Sequence, residues 1–403
     1  MKKVLVLGGN FGGMTAALEV AKKSKGKAKV TVVSPSKYFI YTPSQIWVPF
    51  GIRKLDDIRF ESAAIFKKNG VNFIQDAAVN IDVKNQLVST NEHGDIAYDY
   101  LVVATGVSSK FDIVENLDPS KGHINDIVSP QNSEKTYENF LEFLKDPGPI
   151  VVGATQAASC MGAGYEYLFN MEKELRKHKI SRDVAPLTWI TPEPELGNFG
   201  IDGIRGGETM LKVFMKMFKI NYLTDASIKT IENDKITLDD GKEIPYKFAM
   251  LIPPFEGAGV IKKSESLGNE KGFIVCDDGY QSVDHKNIYA VGFAVQVDAV
   301  SKGKVPFGVP KTGYPTDVMG KIAAHNILHD MGIVAKRKEK AFGRIPGLCV
   351  MDCGDKEVYI LSTSLLKPRA IAIMFPNIFF DLGKWSLEKY FLFKNKRGFS
   401  SWI

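Results

Sequence analysis

Cysteine is scarce in this chain of 403 residues, which contains only four, Cys160, Cys276, Cys349 and Cys353. A disulfide framework in a chain of this size would need more of them, so hydrophobic cores must hold the fold together. The apolar content of 44% is enough for two or three domains, each with its own core. Any importance of the cysteines is therefore expected to lie in their chemistry.

Long apolar runs are also missing. The first run, Val4 to Leu7, has the length of a strand and ends in glycines, so we expect no signal peptide. The longest runs fall short of the roughly 18 to 20 residues that cross a bilayer, which excludes a spanning helix. The net charge of +6 allows attraction to an anionic membrane surface, whereas its spread along the chain argues against nucleic acid as a partner.

Histidine is rare as well, with six residues, and none of them has the spacing of a metal site. His325 and His329 are four residues apart, which suits two ligands on one helix face, but no glutamate or third ligand accompanies them. We therefore expect no metal centre.

Apolar strands that run into glycine recur along the chain. Residues 3–8 form the first strand, and Met14–Lys23 has a helical pattern that leads to a β-branched strand at Lys29–Val33. A second α/β unit opens at 148–154 and continues at 187–196. The sequence thus predicts an α/β protein with two nested Rossmann-like dinucleotide-binding folds.

The first turn reads GGNFGG and has the features of a pyrophosphate-binding turn. Gly8 closes the strand, Gly13 lets the helix pack on the sheet, and the helix N-terminus offers free N–H groups to phosphate. Asn10 stands where a glycine is usual, and asparagine tolerates the left-handed conformation that such a turn needs. Ser34 takes the place of the acidic residue that usually binds the ribose.

Three glycine-ended segments suit FAD, which is bound at its pyrophosphate and again near its ribityl chain: Gly8 to Gly13, VVATG at 102–106 and YAVGFA at 289–294. Here the chain resembles the two-dinucleotide-fold flavoproteins of the disulfide reductase superfamily. In that superfamily the third segment usually carries an aspartate, which Phe293 replaces. The resemblance assigns to the cofactor Gly8, Gly9, Asn10, Phe11, Gly12, Gly13, Ser34, Thr105, Gly106, Gly292, Phe293 and Lys311.

The turn of the second fold differs from a nicotinamide site. Gly153 is followed by Ala154, Thr155 and Gln156, without the close glycine pair. Cys160 stands in the same turn. We therefore expect no NAD(P)H site there.

Four segments resemble sulfide:quinone oxidoreductases, in the same order and across essentially the whole chain. They lie at 37–58, 160–166, 309–327 and 348–361. The resemblance implies an FAD enzyme that oxidises sulfide to sulfur or polysulfide and passes two electrons to a membrane quinone. It also implies a peripheral protein of the cell membrane, and it leaves a homo-oligomer open.

The resemblance gives roles to three side chains, and helical spacing adds a fourth. Cys160 and Cys349 match a redox pair beside the flavin, whether bridged directly or through extra sulfur. Lys311 matches a lysine at the pyrimidine edge of the flavin, where it stabilises the anionic reduced form. Glu166 is placed near Cys160 by helical spacing and is assigned as a proton relay.

A third cysteine, which many members of this family carry, is absent from residues 122–134. We therefore expect FAD to be bound without a covalent link. Cys276 lies in the strand GFIVCDD, and Cys353 occupies a position usually held by an aromatic residue, so both are interpreted as packing residues.

The segment 365–403 interleaves aromatic and basic residues. Leu387, Tyr390 and Phe391 follow helical spacing, and the segment predicts a pair of amphipathic helices in one membrane leaflet, with core-packing or dimer helices as the alternative. Further apolar members are Phe379, Leu382 and Trp385, and the expected headgroup contacts are Lys384, Lys389, Lys394, Lys396 and Arg397. Phe39, Tyr41 and either Phe375 or Phe379 are candidate neighbours of the quinone ring.

Three domains follow from these assignments. Residues 1–110 and 270–335 are expected to form the FAD domain, 111–269 the second Rossmann-like domain, and 336–403 a C-terminal domain with membrane-associated helices.

Three alternatives remain open. A type II NADH:quinone oxidoreductase shares the fold and the membrane habit, but the altered second turn and the cysteines argue against it. A flavocytochrome-type sulfide dehydrogenase lacks support, because no haem-binding C-x-x-C-H occurs. Asn10, Ser34 and Phe293 together also allow a non-catalytic sulfur-binding or scaffold protein with a degenerate flavin site.

Overall fold

The computed structural model describes residues 1–300, 303–377 and 382–400. Its helices within these ranges are α1 (Phe11–Lys23), α2 (Ala63–Lys68), α3 (Pro130–Phe143), α4 (Met161–Lys177), α5 (Gly207–Met217), α6 (Gly259–Lys263), α7 (Gly313–Asp330) and α8 (Gly383–Lys396).

Its strands, in chain order, are β1 (Lys2–Leu7), β2 (Ala28–Ser34), β3 (Tyr38–Ile40), β4 (Arg59–Glu61), β5 (Val71–Gln75), β6 (Ala78–Asp82), β7 (Leu87–Thr90), β8 (Asp95–Ala97), β9 (Tyr100–Val103), β10 (Val107–Ser109), β11 (Ile150–Ala154), β12 (Leu187–Ile190), β13 (Ile220–Leu223), β14 (Ile228–Ile231), β15 (Lys235–Leu238), β16 (Glu243–Pro245), β17 (Phe248–Ile252), β18 (Phe255–Gly257), β19 (Ile288–Ala290), β20 (Gly347–Asp352), β21 (Glu357–Ser362) and β22 (Ala372–Asn377).

A parallel sheet with strand order β19-β9-β1-β2-β5 forms the first fold. Val4 to Leu7 of its central strand are buried, because a parallel sheet covered on both faces accepts mainly apolar side chains. Helix α1 packs against α7, where Gly12 and Gly320 bring the two backbones close together. The carboxyl ends of β1, β9 and β19 thereby meet the N-termini of these two helices.

A second parallel sheet has the order β13-β12-β11-β17, and α4 packs against β11. All five residues of β11 and of β17 are buried. The two parallel sheets confirm the predicted α/β class with two Rossmann-like folds. The division of the chain into three domains stays a prediction.

The C-terminal region differs from the predicted pair of helices. Strands β20, β21 and β22 form an antiparallel sheet, and the described residues beyond it contain the single helix α8. Residues 372–375 alternate half-buried and exposed side chains, which is the periodicity of a strand and not of a helix. Phe379 lies outside the described residues.

Helix α8 also buries residues that the sequence predicts to face the membrane. Phe391 is buried, Leu387 and Tyr390 are half-buried, and Lys384 and Lys394 are only 3% and 2% exposed. The expected headgroup role of these two lysines is therefore wrong, because each is ion-paired inside the protein. Lys394 Nζ lies 2.6 Å from Asp317 Oδ1 on α7.

The outward side of this region nevertheless remains apolar in part. Large exposed side chains occur on β22, just before α8 and on α8: Ile371, Ile373, Phe375, Leu382, Trp385 and Phe393. Lys389, Lys396 and Arg397 are exposed near them. None of the helices in the described ranges combines the length and apolar character that a membrane-spanning segment requires.

Candidate functional site

The turn between β1 and α1 depends on glycine for steric reasons. Gly8 has φ +102°, and a Cβ there would overlap the carbonyl oxygen of Ala104. A Cβ on Gly13 would overlap the carbonyl oxygen of Gly8. The backbone segments around this turn are therefore in close contact with one another. The space in front of the N-terminus of α1 stays free for a ligand.

Asn10 does not adopt the left-handed conformation expected from the sequence. Its φ is −95° and its ψ is −165°, so it is extended and precedes α1 as the N-cap residue. The positive φ falls on Gly8 instead, and any L residue can occupy the conformation of Asn10. The first helical hydrogen bond runs from Met14 N to Asn10 O, which leaves the preceding amides of Phe11, Gly12 and Gly13 without helical acceptors.

Two polar atoms beside this turn are buried and have no hydrogen-bond partner, Asn10 Oδ1 and Thr105 Oγ1. Buried polar atoms are normally paired, so an orphaned pair at one turn points to a polar ligand. Ser34 is buried beside Gly9 and donates its hydroxyl to the carbonyl oxygen of Ser36. Free amides, orphaned oxygens and close glycine packing together fit a dinucleotide.

The third glycine segment lies at the N-terminus of α7. Gly292 has φ +64°, and a Cβ there would meet the Thr316 side chain at 2.8 Å. Phe293 packs edge-on against Phe255, with ring centroids 5.5 Å apart. A phenyl ring cannot accept hydrogen bonds from ribityl hydroxyls, so any such contact must come from other groups.

Lys311 is buried next to this segment. Its Nζ donates to the carbonyl oxygens of Val295 at 2.6 Å and Phe293 at 3.3 Å. Burial lowers the pKa of this lysine to about 8, while the charge of a nearby Cys160 thiolate would raise it. Lys311 can therefore change its protonation near neutral pH in response to negative charge close by.

Cys160 is the residue immediately before α4, and Cys349 lies in β20. All four cysteines are free thiols. Burial raises the pKa of Cys160 to about 12, partly offset by a hydrogen bond from Ser159 and by the charge of Lys311. Cys349 keeps an accessible surface, but it lies in a recess among protein atoms, and desolvation raises its pKa to about 12.

Glu166 joins the two elements that carry these cysteines. Its Oε1 accepts a hydrogen bond from the backbone N–H of Asp352, at the end of β20, at 3.0 Å. The same oxygen lies 2.6 Å from Lys384 Nζ of α8, in a pair whose side chains are 9% and 3% exposed. Glu166 charge raises the pKa of Cys349 and Lys384 charge lowers it, so both lie within electrostatic reach of that thiol.

Sequence reasoning missed Lys384 and Asp352 as parts of this site. Trp47 Nε1 donates to Asp352 Oδ2 at 2.6 Å, and Lys384 Nζ lies 5.4 Å from the centre of the Trp47 ring. No local pattern indicates this cluster, because its members come from four separate segments. Cys353 is 3% exposed and lies close enough to Cys349 for that thiol to influence its pKa, whereas Cys276 donates weakly to Ile274 O.

Aromatic rings gather at the N-terminus of α1. The Phe11 ring lies 5.0 Å from Phe39, 6.0 Å from Tyr41 and 5.7 Å from Phe391 of α8, and Tyr41 lies 5.6 Å from Phe391. Phe375, by contrast, is 41% exposed and stacks on Tyr359. The structure thus brings two predicted quinone neighbours, Phe39 and Tyr41, to the cofactor turn and places Phe375 on the outer surface.

The second dinucleotide turn is filled by the protein itself. The Gln156 side chain makes two hydrogen bonds of 3.0 Å to the backbone of Ile228. The amide of Ala157 donates to Pro306 O, and the amide of Gly308 donates to Ala158 O. These contacts use the Gln156 side chain, the Ala157 amide and the Ala158 carbonyl oxygen inside the protein, which disfavours a nicotinamide dinucleotide at this turn.

Residues 2–180 match a family model described as pyridine nucleotide-disulphide oxidoreductase. The chain is 31% identical over 409 residues to the sulfide-quinone reductase of Aquifex aeolicus (strain VF5), covering 98% of this chain and 92% of that protein. The chain belongs to the sulfide:quinone oxidoreductase family.

Two further comparisons agree with this membership. The crystal structure of the Aquifex aeolicus sulfide:quinone oxidoreductase superposes with a TM-score of 0.93 at 30% identity, covering 99% of this chain and 92% of that one. A mitochondrial sulfide:quinone oxidoreductase of Dictyostelium discoideum is 27% identical over 300 residues, covering 72% of this chain and 64% of that protein. A sulfide:quinone oxidoreductase of this kind is a flavin-dependent enzyme, and the turn at Gly8 to Gly13 is the place that fits the cofactor.

Gly13→Ala tests this placement of the flavin. The added Cβ would overlap Gly8 O, so we expect loss of bound flavin and a destabilisation of about 1 to 3 kcal/mol from overpacking. The measurements are flavin absorbance after purification and thermal unfolding. Gly259→Ala is the matched control, because its Cβ meets nothing within 4 Å. Full flavin content in Gly13→Ala would contradict the placement.

Proposed function

We propose that the protein oxidises sulfide at Cys160 and Cys349 and passes two electrons through non-covalently bound FAD to a quinone, at the surface of the cell membrane. One observation carries the proposal. The elements that bear the two cysteines are joined by Glu166, and Lys311 lies between Cys160 and the glycine segment that fits the cofactor.

The thiol chemistry follows from the two cysteines. With their sulfur atoms joined in the oxidised enzyme, hydrosulfide attacks one sulfur, which gives a persulfide on that cysteine and a thiolate on the other. The thiolate then bonds to the outer persulfide sulfur, one proton leaves, and two electrons are released as the sulfur bridge lengthens by one atom. Bound flavin would accept this electron pair and deliver it to quinone.

The chain's own residues have defined parts in this sequence. Glu166 receives the proton that leaves the persulfide, because burial raises the pKa of its carboxyl group, while Asp352 N and Lys384 hold that group in place. Lys311 supplies positive charge where negative charge accumulates during electron transfer. The absence of cysteine in 122–134 supports a non-covalent cofactor.

The aromatic cluster at α1 supports quinone binding. Tyr41 and Phe391 lie side by side next to Phe11, whose backbone belongs to the cofactor turn. Planar rings offer a quinone stacking or edge contacts worth about 0.5 to 1.5 kcal/mol each. Quinone would therefore bind on the side of the cofactor where α8 presents Phe391.

The exposed apolar side chains of β22 and α8 support attachment to one leaflet. Trp385 and Phe393 lie on the outward side of α8, and Lys389 and Lys396 share that side. Aromatic rings at the headgroup level next to lysines are typical of interfacial helices. A membrane on this side would bring quinone close to Phe391.

An anaerobic visible spectrum tests the function. Purified protein is expected to show oxidised flavin bands that bleach with sulfide and return when a soluble quinone analogue is added. NADH in a parallel sample is expected to leave the bands unchanged, because the second turn is filled by Gln156 and residues 306–308. Bleaching by NADH would favour the NADH:quinone oxidoreductase alternative, and a colourless protein would favour the scaffold alternative.

Cys160→Ser and Cys349→Ser test the thiol pair. Each is expected to abolish sulfide-dependent bleaching while leaving flavin content unchanged, because a hydroxyl cannot form a sulfur bridge. Cys276→Ser serves as the control and should bleach at the wild-type rate. Bleaching at that rate in Cys160→Ser or Cys349→Ser would contradict the assignment.

Trp385→Ser with Phe393→Ser tests the membrane surface. Both side chains are about half exposed, at 45% and 49%, so their replacement should not affect folding. Each lost aromatic contact with lipid would weaken vesicle binding by about 1.5 to 3 kcal/mol if it were fully buried in the bilayer. Co-sedimentation with anionic vesicles measures the effect, and Val184→Ser with Val213→Ser, two exposed positions on other elements, is the control. Equal sedimentation of both double variants would place the membrane elsewhere.

A further inference from the structure

Lys384 reaches the thiol site from the C-terminal helix. Its backbone N–H and that of Gly383 each donate to the Glu357 carboxylate at 2.8 Å, which fixes the start of α8 against β21. The ammonium group then extends to Glu166 at 2.6 Å. A lysine side chain can adopt many rotamers, but Lys384 is held both at its backbone N–H and at its ammonium group. Its charge therefore has a defined position.

The charge of Lys384 balances that of Glu166 beside Cys349. The pair is buried, and one of the two carboxylate oxygens binds both the ammonium group and Asp352 N. Without the cation, an ionised Glu166 would act on Cys349 unopposed and would disfavour its thiolate. With the cation present, the charge of Lys384 offsets that of Glu166 at this thiol, and the thiolate is easier to form.

We propose that Lys384 is a positioning residue for sulfide oxidation, which keeps Glu166 ionised and offsets its charge so that Cys349 can react as a thiolate. The inference rests on the proposed function, because the state of Cys349 matters only if that thiol takes part in the reaction. It also gives α8 a role in the thiol chemistry, in addition to its place near the quinone rings.

Other charged or titratable groups face this pair from the surrounding elements: Tyr41, Arg53, Asp352, Cys353, Glu357 and Glu388. Several of them are already paired. Arg53 Nε lies 3.1 Å from Glu388 Oε2, Asp352 accepts from Trp47, and Glu357 accepts from the start of α8. Replacing either Glu166 or Lys384 therefore changes the balance of charge beside Cys349.

The experiment measures alkylation of Cys349 by iodoacetamide in the reduced, flavin-loaded protein, from pH 6 to 9, with the site resolved by peptide mass spectrometry. In Lys384→Met the rate at pH 8 to 9 is expected to fall about tenfold, as a rise of one unit in the thiol pKa would give. The deficit should shrink as the pH falls, because burial raises the pKa of Glu166 and the unpaired carboxylate then becomes protonated. In Glu166→Gln the rate should rise instead, because an unbalanced cation favours the thiolate.

These opposite signs separate an electrostatic role from a structural one. Both single variants break the same contact, so simple loosening of the site would change the rate in the same direction in both. Lys384→Arg and the double variant Glu166→Gln/Lys384→Met should react at close to the wild-type rate. Lys68→Met removes an exposed lysine of α2 and is the control.

Changes of the same sign in the two single variants, or no change in either, would overturn the inference. If Lys384→Met does not fold, Glu166→Gln must still accelerate alkylation and the double variant must still reverse that acceleration. The alkylation rates of the two single variants could change in opposite directions while sulfide fails to bleach the wild-type protein. That result would uphold the electrostatic role of Lys384 and reject sulfide as the substrate. Failure of the inference and failure of the proposed function are therefore distinguishable.

Discussion

The structure depends on charge carried into its interior by the C-terminal helix. Lys384 pairs with Glu166 on α4, Glu388 with Arg53, and Lys394 with Asp317 on α7. For Lys384 and Glu166, which are both buried, removing one partner costs about 3 to 5 kcal/mol, because the other charge is left without solvent or counter-ion. Helix α8 is thus fixed in register against three segments of the two nucleotide-type folds, and a slip by one residue would break all three pairs.

The cofactor turn imposes a second constraint, which is steric. Gly8, Gly12 and Gly13 are packed against backbone or against α7, so the turn cannot change shape when a ligand binds. A preformed cradle of amides loses little entropy on binding. Asn10 can stand in this turn because the strained conformation falls on Gly8 and not on Asn10. Asn10 in place of the usual glycine therefore affects which polar atom faces the ligand, and it leaves the path of the backbone unchanged.

The sequence predicted the two parallel sheets well, because buried strands ending in glycine give a strong local signal. It placed Gly8 and Gly13 at the turn and Cys160 at the start of α4 for the same reason. It could not predict Lys384 or Asp352 in the site, since their roles depend on contacts between residues far apart in the chain. The error at α8 has a clear physical cause. Lysines in an aromatic-rich segment were expected to face headgroups, but a buried carboxylate is an equally good partner for a lysine, and only the tertiary structure shows which one is present.

The position of α8 also bears on how the two half-reactions are kept apart. Near its start, Lys384 lies with the thiols, and two turns later Phe391 contacts the aromatic rings at the N-terminus of α1. One rigid element therefore contacts both the place where sulfide would be oxidised and the place where quinone would be reduced. Its inward side is buried along this length at Lys384, Glu388, Phe391 and Leu392, so α8 links the two places through residues inside the protein. A change of charge at Glu166 would act on the helix through Lys384, so the protonation state on the thiol side has a physical route to the quinone side that does not require a change of fold.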